Sequence, residues 1–203
     1  MVEFIKKIVA NVLTALYEPF GFAVILSILF MCVYLFAKEK GWKKVFQNLW
    51  QTFKTDKEFC KMFLLVFYTT LILFRTLLNR SVWFNPVSNV IGTWGLYKPD
   101  GSLTTEVIEN TALFIPFSVL LMLVLQKRSK NKTNNIFVIM WMAFKSVFLF
   151  SLAIEFLQLF LHLGNFQLSD LFYNTLGGIL GGLIYWIGHQ IYLLICKRKE
   201  KTV

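Results

Sequence analysis

The sequence predicts an all-α fold: a polytopic transmembrane helical bundle of about five spans, with interfacial amphipathic helices beside them. Of the 203 residues, 57% are apolar and 17% aromatic, an apolar share well above that of soluble domains. Five apolar runs are each long enough to cross a hydrocarbon layer of about 30 Å. Lys and Arg cluster directly beside these runs, as expected where spans end at lipid headgroups.

The five predicted spans follow one another with short links. In chain order they are 20–37, 59–78, 107–125, 136–161 and 171–196. The first run is followed at once by Lys38, with no small-residue cleavage site, so it is expected to remain as a span.

Two further segments are amphipathic but too short to span. Residues 1–17 separate polar and apolar side chains at helical spacing, as in a helix that lies in the interface. Residues 42–54 repeat Trp, Phe and Leu among lysines, which indicates a basic helix at headgroup level; a helix that binds a specific partner is the alternative. The predicted division is an interfacial helix (1–19), the first span with a basic cytoplasmic link (20–58), a membrane domain of four spans (59–196) and a basic cytoplasmic tail (197–203).

The charge distribution predicts an orientation and a partner. The net charge is +10, and most Lys and Arg residues lie in the link after the first span, the link after the third span and the tail. The positive-inside rule therefore places the N-terminus outside and the C-terminus in the cytoplasm. Anionic lipid headgroups are the expected partners, and nucleic acid is not, since no recognition motif is present. The cysteines are expected to form no disulfide.

Ionisable residues inside spans mark a candidate functional site, because a charge at that depth is costly unless it is paired or hydrated. Arg75 and Glu155 lie at similar depth near the outer ends of the second and fourth spans. An ion pair between them, or an anionic ligand group bound by Arg75, is one interpretation. A purely structural pair that holds two spans together is the other.

Further polar residues lie at the same level. Gln158 shares a helical face with Glu155, and Asp170 shares one with Asn174. The predicted pocket contains Arg75, Asn85, Asn110, Glu155, Gln158, Asp170 and Asn174. A metal held by Glu155, His162 and Asp170 is conceivable, but no metal and no cofactor are predicted, because the chain has two His and no tight ligand pair.

Proline and glycine predict how the spans pack. Pro116 should bend the third span, since it removes a helical hydrogen bond. Two overlapping Gly-x-x-x-Gly patterns in the fifth span permit close approach of another helix, within the chain in preference to a dimer. They comprise Gly177, Gly178, Gly181 and Gly182.

These residues resemble the VanZ-like family of membrane proteins, named after a teicoplanin resistance protein of Gram-positive bacteria. The resemblance runs from about Leu71 to Gly182 and rests on Glu109-Asn-Thr-Ala-Leu-Phe-Ile-Pro116-Phe, Ile154-Glu-Phe-Leu-Gln158, Ser169-Asp170 and Asn174-Thr-Leu-Gly177-Gly178, with Arg75 and Asn85-Pro86 before them. Two positions depart from the family pattern. Asn165 stands where the family often has Arg, and Ser118 where it often has Gly.

The resemblance implies a multi-pass protein of the bacterial cell membrane, with a cell-envelope role linked to resistance to teicoplanin-type glycopeptides. The favoured hypothesis is binding of a lipid, a lipid-linked cell-wall intermediate or a lipoglycopeptide in an outward-facing polar pocket. An intramembrane enzyme acting on such a lipid, with Glu155 or Asp170 as general base, is the alternative, as is a scaffold or transport partner. The sequence therefore leaves enzymatic activity open.

Overall fold

The computed structural model describes residues 2–39, 41–80, 82, 84–97, 101–128 and 135–200. Within these ranges the chain forms seven α-helices, one π-helical turn and no β-strand. The helices are α1 (Val2–Tyr17), α2 (Phe20–Glu39), α3 (Trp42–Thr55), α4 (Lys57–Leu73), α5 (Glu106–Arg128), α6 (Ile136–Leu161) and α7 (Leu168–Glu200); the π-helical turn (Phe74–Leu78) continues α4. The predicted all-α fold is confirmed.

Five helical segments of the described chain are long and apolar enough to cross a membrane: Phe20–Lys38, Lys57–Leu78, Glu106–Leu125, Ile136–Leu161 and Leu168–Arg198. Each overlaps one predicted span, so the predicted number of spans is confirmed. The fifth begins before the predicted Leu171, because the amide of Leu171 donates to the carbonyl of Gln167 and closes the first turn there. The amide of Leu168, which has no partner in its own helix, donates to the carbonyl of Val90 (2.8 Å).

The chain divides into two compact units. The first comprises Met1–Ser88 and Phe156–Phe166, and the second comprises Asn89–Glu155 and Gln167–Val203. Helix α6 therefore contributes residues to both. The sequence-based division at residues 19, 58 and 196 stays a prediction.

In the first unit, α3 is amphipathic and packs one face against α2 and α4. Its Val45 is fully buried in a cluster with Met31, Cys32, Leu35 and Phe59. Trp42, Phe46 and Trp50 of α3 are exposed, although the Trp42 ring also stacks on Phe36 of α2 (4.6 Å between ring centroids). Asp56 begins α4 by accepting hydrogen bonds from the amides of Glu58 and Phe59. The predicted helix is confirmed, and its place at headgroup level stays a prediction.

Two hydrogen bonds join α1 and Glu18, the residue after it, to the π-helical turn and Asn79, the residue after that turn. The guanidinium of Arg75 donates to the backbone carbonyl of Asn11 (3.4 Å), and the side-chain amide of Asn79 donates to the carboxylate of Glu18 (3.2 Å). The N-terminal helix is thus held by the segment that carries Arg75.

In the second unit, α5 and α7 pack closely because α7 presents glycines to α5. A Cβ atom at Gly177 would overlap the carbonyl oxygen of Thr111, and one at Gly181 would overlap that of Ile115. Backbone therefore lies directly against backbone, the arrangement that small residues permit between membrane helices.

Helix α6 meets α7 on the neighbouring glycines. A Cβ atom at Gly178 would lie 2.6 Å from the Cβ of Val147, and one at Gly182 would lie 2.6 Å from the Cβ of Ala143. Both Gly-x-x-x-Gly patterns are therefore occupied by helices of the same chain.

Helix α5 runs without interruption through Pro116. The proline has no amide hydrogen, so the carbonyl of Ala112 loses its helical donor; the predicted bend stays a prediction. Two residues later, the hydroxyl of Ser118 donates to the carbonyl of Gly178 (2.7 Å) in a buried contact. A polar bond thus joins α5 to α7 beside the close glycine contacts.

Candidate functional site

A polar pair continues the register that the glycines set between α6 and α7. The side-chain amide of Asn174 donates to the hydroxyl of Ser151 (2.9 Å), and both side chains are buried. The contacts along this interface are Gly182 with Ala143, Gly178 with Val147 and Asn174 with Ser151. From one contact to the next, the position moves four residues back on α7 and four residues forward on α6. The next positions in the series are 170 and 155, so Asp170 and Glu155 occupy facing positions about 6 Å further along the helices.

Glu155 is almost fully buried, with 2% of its surface exposed. Its carboxylate accepts a hydrogen bond from the backbone amide of Gln167 (2.9 Å), just before the start of α7. The bond ties the side chain to the connection between α6 and α7. It also orients the carboxylate toward the N-terminal end of α7, where the helix dipole favours negative charge.

Asp170 lies in the first turn of α7 and reaches α5. The side-chain amide of Asn110 donates to its carboxylate (2.8 Å). The neighbouring Glu109, in the first turn of α5, is also buried. The structure therefore brings together Asn110 and Asp170, two residues 60 positions apart that the sequence placed in one pocket.

The unusual atom of this site is the side-chain carbonyl oxygen of Asn174, Oδ1. It is buried and has no hydrogen-bond partner among the described residues, while only 5% of the residue surface is exposed. Buried polar atoms are nearly always paired, because an unpaired one costs about 1–3 kcal/mol. The second unit thus holds an open hydrogen-bond acceptor one helical turn from Asp170.

Aromatic side chains adjoin the N-terminal end of α7. The Trp94 ring packs on Phe172 at 5.3 Å between ring centroids and on Tyr173 at 5.9 Å. The hydroxyl of Tyr173 accepts a hydrogen bond from the amide of Gly95 (3.1 Å). Trp94 and Phe172 are about half exposed, so an exposed aromatic surface lies beside the polar residues.

The remaining predicted pocket residues lie in the first unit. Arg75 is part of the π-helical turn, in which the amide of Asn79 donates to the carbonyl of Phe74. Gln158 is 2% exposed and donates to the carbonyl of Thr76 (2.8 Å). The predicted ion pair between Arg75 and Glu155, and the predicted binding of an anionic group by Arg75, stay predictions.

Asn85 and Asn165 belong to connections of the first unit. Asn85 is exposed, and its carbonyl accepts from the amide of Ser88 (3.2 Å). The hydroxyl of Ser88 donates to the side chain of Asn165 (3.0 Å), and the amide of Phe166 donates to the carbonyl of Pro86. These bonds hold the link before α5 against the link before α7.

A family model described as VanZ/LLP1 matches residues 22–189, well over half of the chain. The chain belongs to the VanZ/LLP1 family. No curated protein and no solved structure matches it. As a VanZ/LLP1 protein with five apolar helices of spanning length, it is a multi-pass membrane protein, linked at family level to glycopeptide resistance. The matched range exceeds the predicted resemblance at both ends and contains every predicted pocket residue.

Three features of this VanZ/LLP1 protein are not among the sequence-based predictions. Ser151, the partner of Asn174, lies four residues before Glu155, a spacing that could have placed it on the same face. Ser118 bonds a carbonyl of the glycine helix. The π-helical turn at Arg75 has no clear sequence signal, although such turns are frequent at functional sites.

Glu155, His162 and Asp170 are the metal ligands that the sequence suggests as an alternative. Within the described ranges, no group of three or more His, Cys, Asp or Glu residues is arranged to hold a metal ion. His162 has a positive φ of 54° and ends α6 in an exposed position.

Proposed function

We propose that this VanZ/LLP1 protein binds the polar headgroup of a membrane lipid, of a lipid-linked cell-wall intermediate or of a lipoglycopeptide, with the polar residues of α5, α6 and α7. One observation carries the proposal: the side-chain carbonyl oxygen of Asn174 is buried and has no hydrogen-bond partner in the described chain. A ligand donor at this oxygen removes the cost of leaving it unpaired.

The surroundings of Asn174 support an amphiphilic ligand. Asp170 and Glu155 provide further polar contacts on facing helices, whereas Trp94 and Phe172 offer exposed aromatic surface nearby. Trp and Tyr are typical of membrane interfaces, because their rings are apolar and carry one polar group. A headgroup beside the carboxylates and a lipid chain along the aromatic surface match this distribution.

An intramembrane enzyme is the second candidate function. The helix register places Glu155 and Asp170 at facing positions, and two carboxylates in different surroundings can divide the roles of general acid and base. The substrate would be the same lipid, so binding and turnover have to be measured together.

The test of the proposed function uses the full chain in lipid nanodiscs, with a lipid-linked peptidoglycan precursor and teicoplanin as probes. We expect saturable binding of at least one probe, unchanged chemistry of the bound molecule by mass spectrometry, and about tenfold weaker binding after Asn174→Leu. Ser118→Ala, which removes another buried hydrogen bond of the same unit, is the matched control and should bind normally.

Two results would contradict this reading. Equal binding by the Asn174→Leu and Ser118→Ala variants would remove Asn174 from the site. Conversion of the precursor, lost on Glu155→Gln, would favour the enzyme.

We also propose that the protein lies in a bacterial cell membrane with its N-terminus outside and its C-terminus in the cytoplasm, from the loop charges. In a variant whose native cysteines are replaced by Ala, Asn165→Cys should react with an impermeant maleimide on intact cells. Asn131→Cys, which lies outside the described residues, should react only after permeabilisation. The reverse labelling would overturn the orientation.

A further inference from the structure

In the polar site of the second unit, both side-chain amide nitrogens already have a partner within the unit, whereas one buried acceptor has none among the described residues. The side-chain amide nitrogens of Asn174 and Asn110 each donate one hydrogen bond within the unit, to Ser151 and to Asp170 respectively. The carbonyl oxygen of Asn174 has no donor among the described residues. Glu155 and Asp170, when ionised, accept hydrogen bonds only. A molecule bound here therefore meets oxygens with lone pairs.

The charges along the three helices agree with that arrangement. Between Glu106 and Gln126 of α5, and between Leu168 and Cys196 of α7, the sequence contains no Lys or Arg. On α6 the one cation is Lys145, about 15 Å along the helix from Glu155. A phosphate at Asn174 would thus face acceptors of its own sign, without a cation from these helices.

We infer that the group bound at Asn174 is a hydrogen-bond donor, the amine or hydroxyl of a lipid headgroup, and not its phosphate. The inference rests on the proposed function and narrows it to a ligand class. The carbonyl of Asn174 accepts the donor hydrogen, and the carboxylate of Asp170, one turn away on the same face of α7, provides the second acceptor.

Four phospholipids with the same acyl chains distinguish recognition of a hydrogen-bond donor from recognition of a positive charge. Phosphatidylethanolamine carries a cationic donor, phosphatidylglycerol a neutral donor, phosphatidylcholine a cation without a donor, and phosphatidylmethanol neither. The full chain, reconstituted with an equimolar mixture, is delipidated in steps, and the retained lipid is quantified by mass spectrometry. We expect the two donor lipids to be retained about tenfold over the other two, the factor that corresponds to leaving one buried acceptor unpaired.

The variants and outcomes distinguish this inference from the proposed function. Asn174→Leu should abolish the preference, and Ser118→Ala should keep it; should the Leu variant fail to fold, Asn174→Asp, which keeps an acceptor, should keep the preference. Equal retention of all four lipids would overturn the inference while leaving lipid binding intact. Preferential retention of phosphatidylcholine together with phosphatidylethanolamine would also overturn the inference, because it would show that the site recognises the positive charge of the headgroup. If none of the four lipids is retained, and neither the lipid-linked peptidoglycan precursor nor teicoplanin binds, the proposed function itself is overturned.

Discussion

Gly177→Ala is expected to destabilise the folded protein by about 2 kcal/mol, the usual cost of forcing extra volume into a packed interface. The reason is the backbone contact with α5, because the new methyl group would overlap the carbonyl oxygen of Thr111. A backbone oxygen has no rotamer by which to move away. The helices would have to separate, which would weaken the bond between Ser118 and Gly178.

The same substitution at Gly188 is the matched control for Gly177→Ala. Gly188 lies in the same helix, and a Cβ atom there would meet nothing within 4 Å. Since Ala is favoured over Gly in a helix by about 1 kcal/mol, Gly188→Ala should be neutral or slightly stabilising. Thermal unfolding of the two purified variants in the same detergent measures the difference. Equal stability would show that α5 does not approach α7 as closely as the glycine contacts indicate.

The spans were predictable because the bilayer imposes one constraint on every residue within it. An apolar run must satisfy its backbone hydrogen bonds internally, so length and hydropathy define a helix even without knowledge of its neighbours. The π-helical turn at Phe74–Leu78 was not predictable on this basis. Either hydrogen-bond pattern satisfies the backbone, and the partners of this segment, such as Asn11 and Gln158, lie far away in the sequence.

The candidate site was predictable in depth but not in contacts. Counting residues from the span ends placed Asn110, Glu155, Asp170 and Asn174 at one level. Which of them meet depends on the register of α7 against α5 and α6, and that register is fixed by the glycines that α7 presents to both helices. Hydropathy carries no information about this register, so Ser151 was overlooked as the partner of Asn174.

Gln158→Leu is expected to destabilise the protein by about 1–3 kcal/mol, the cost of a buried acceptor left without its donor. The side-chain amide of Gln158 donates to the carbonyl of Thr76, in the last turn of the π-helical segment. Carbonyls of a last helical turn have no donor in their own helix, so the side chain of Gln158 acts as a cap. Leu fills a similar volume but donates nothing. Thermal unfolding measures the loss, and hydrogen exchange of the amides from Phe74 to Asn79 should become faster.

Gln51→Leu is the control, since Gln51 is exposed on α3 and surface substitutions change stability by about 0.5 kcal/mol or less. The pair of variants also separates two roles for Gln158, which the sequence analysis placed in a ligand pocket. A structural cap predicts lost stability with ligand affinity unchanged once the variant is folded. Unchanged stability of the Gln158→Leu variant would contradict the role of this side chain as a cap of Thr76.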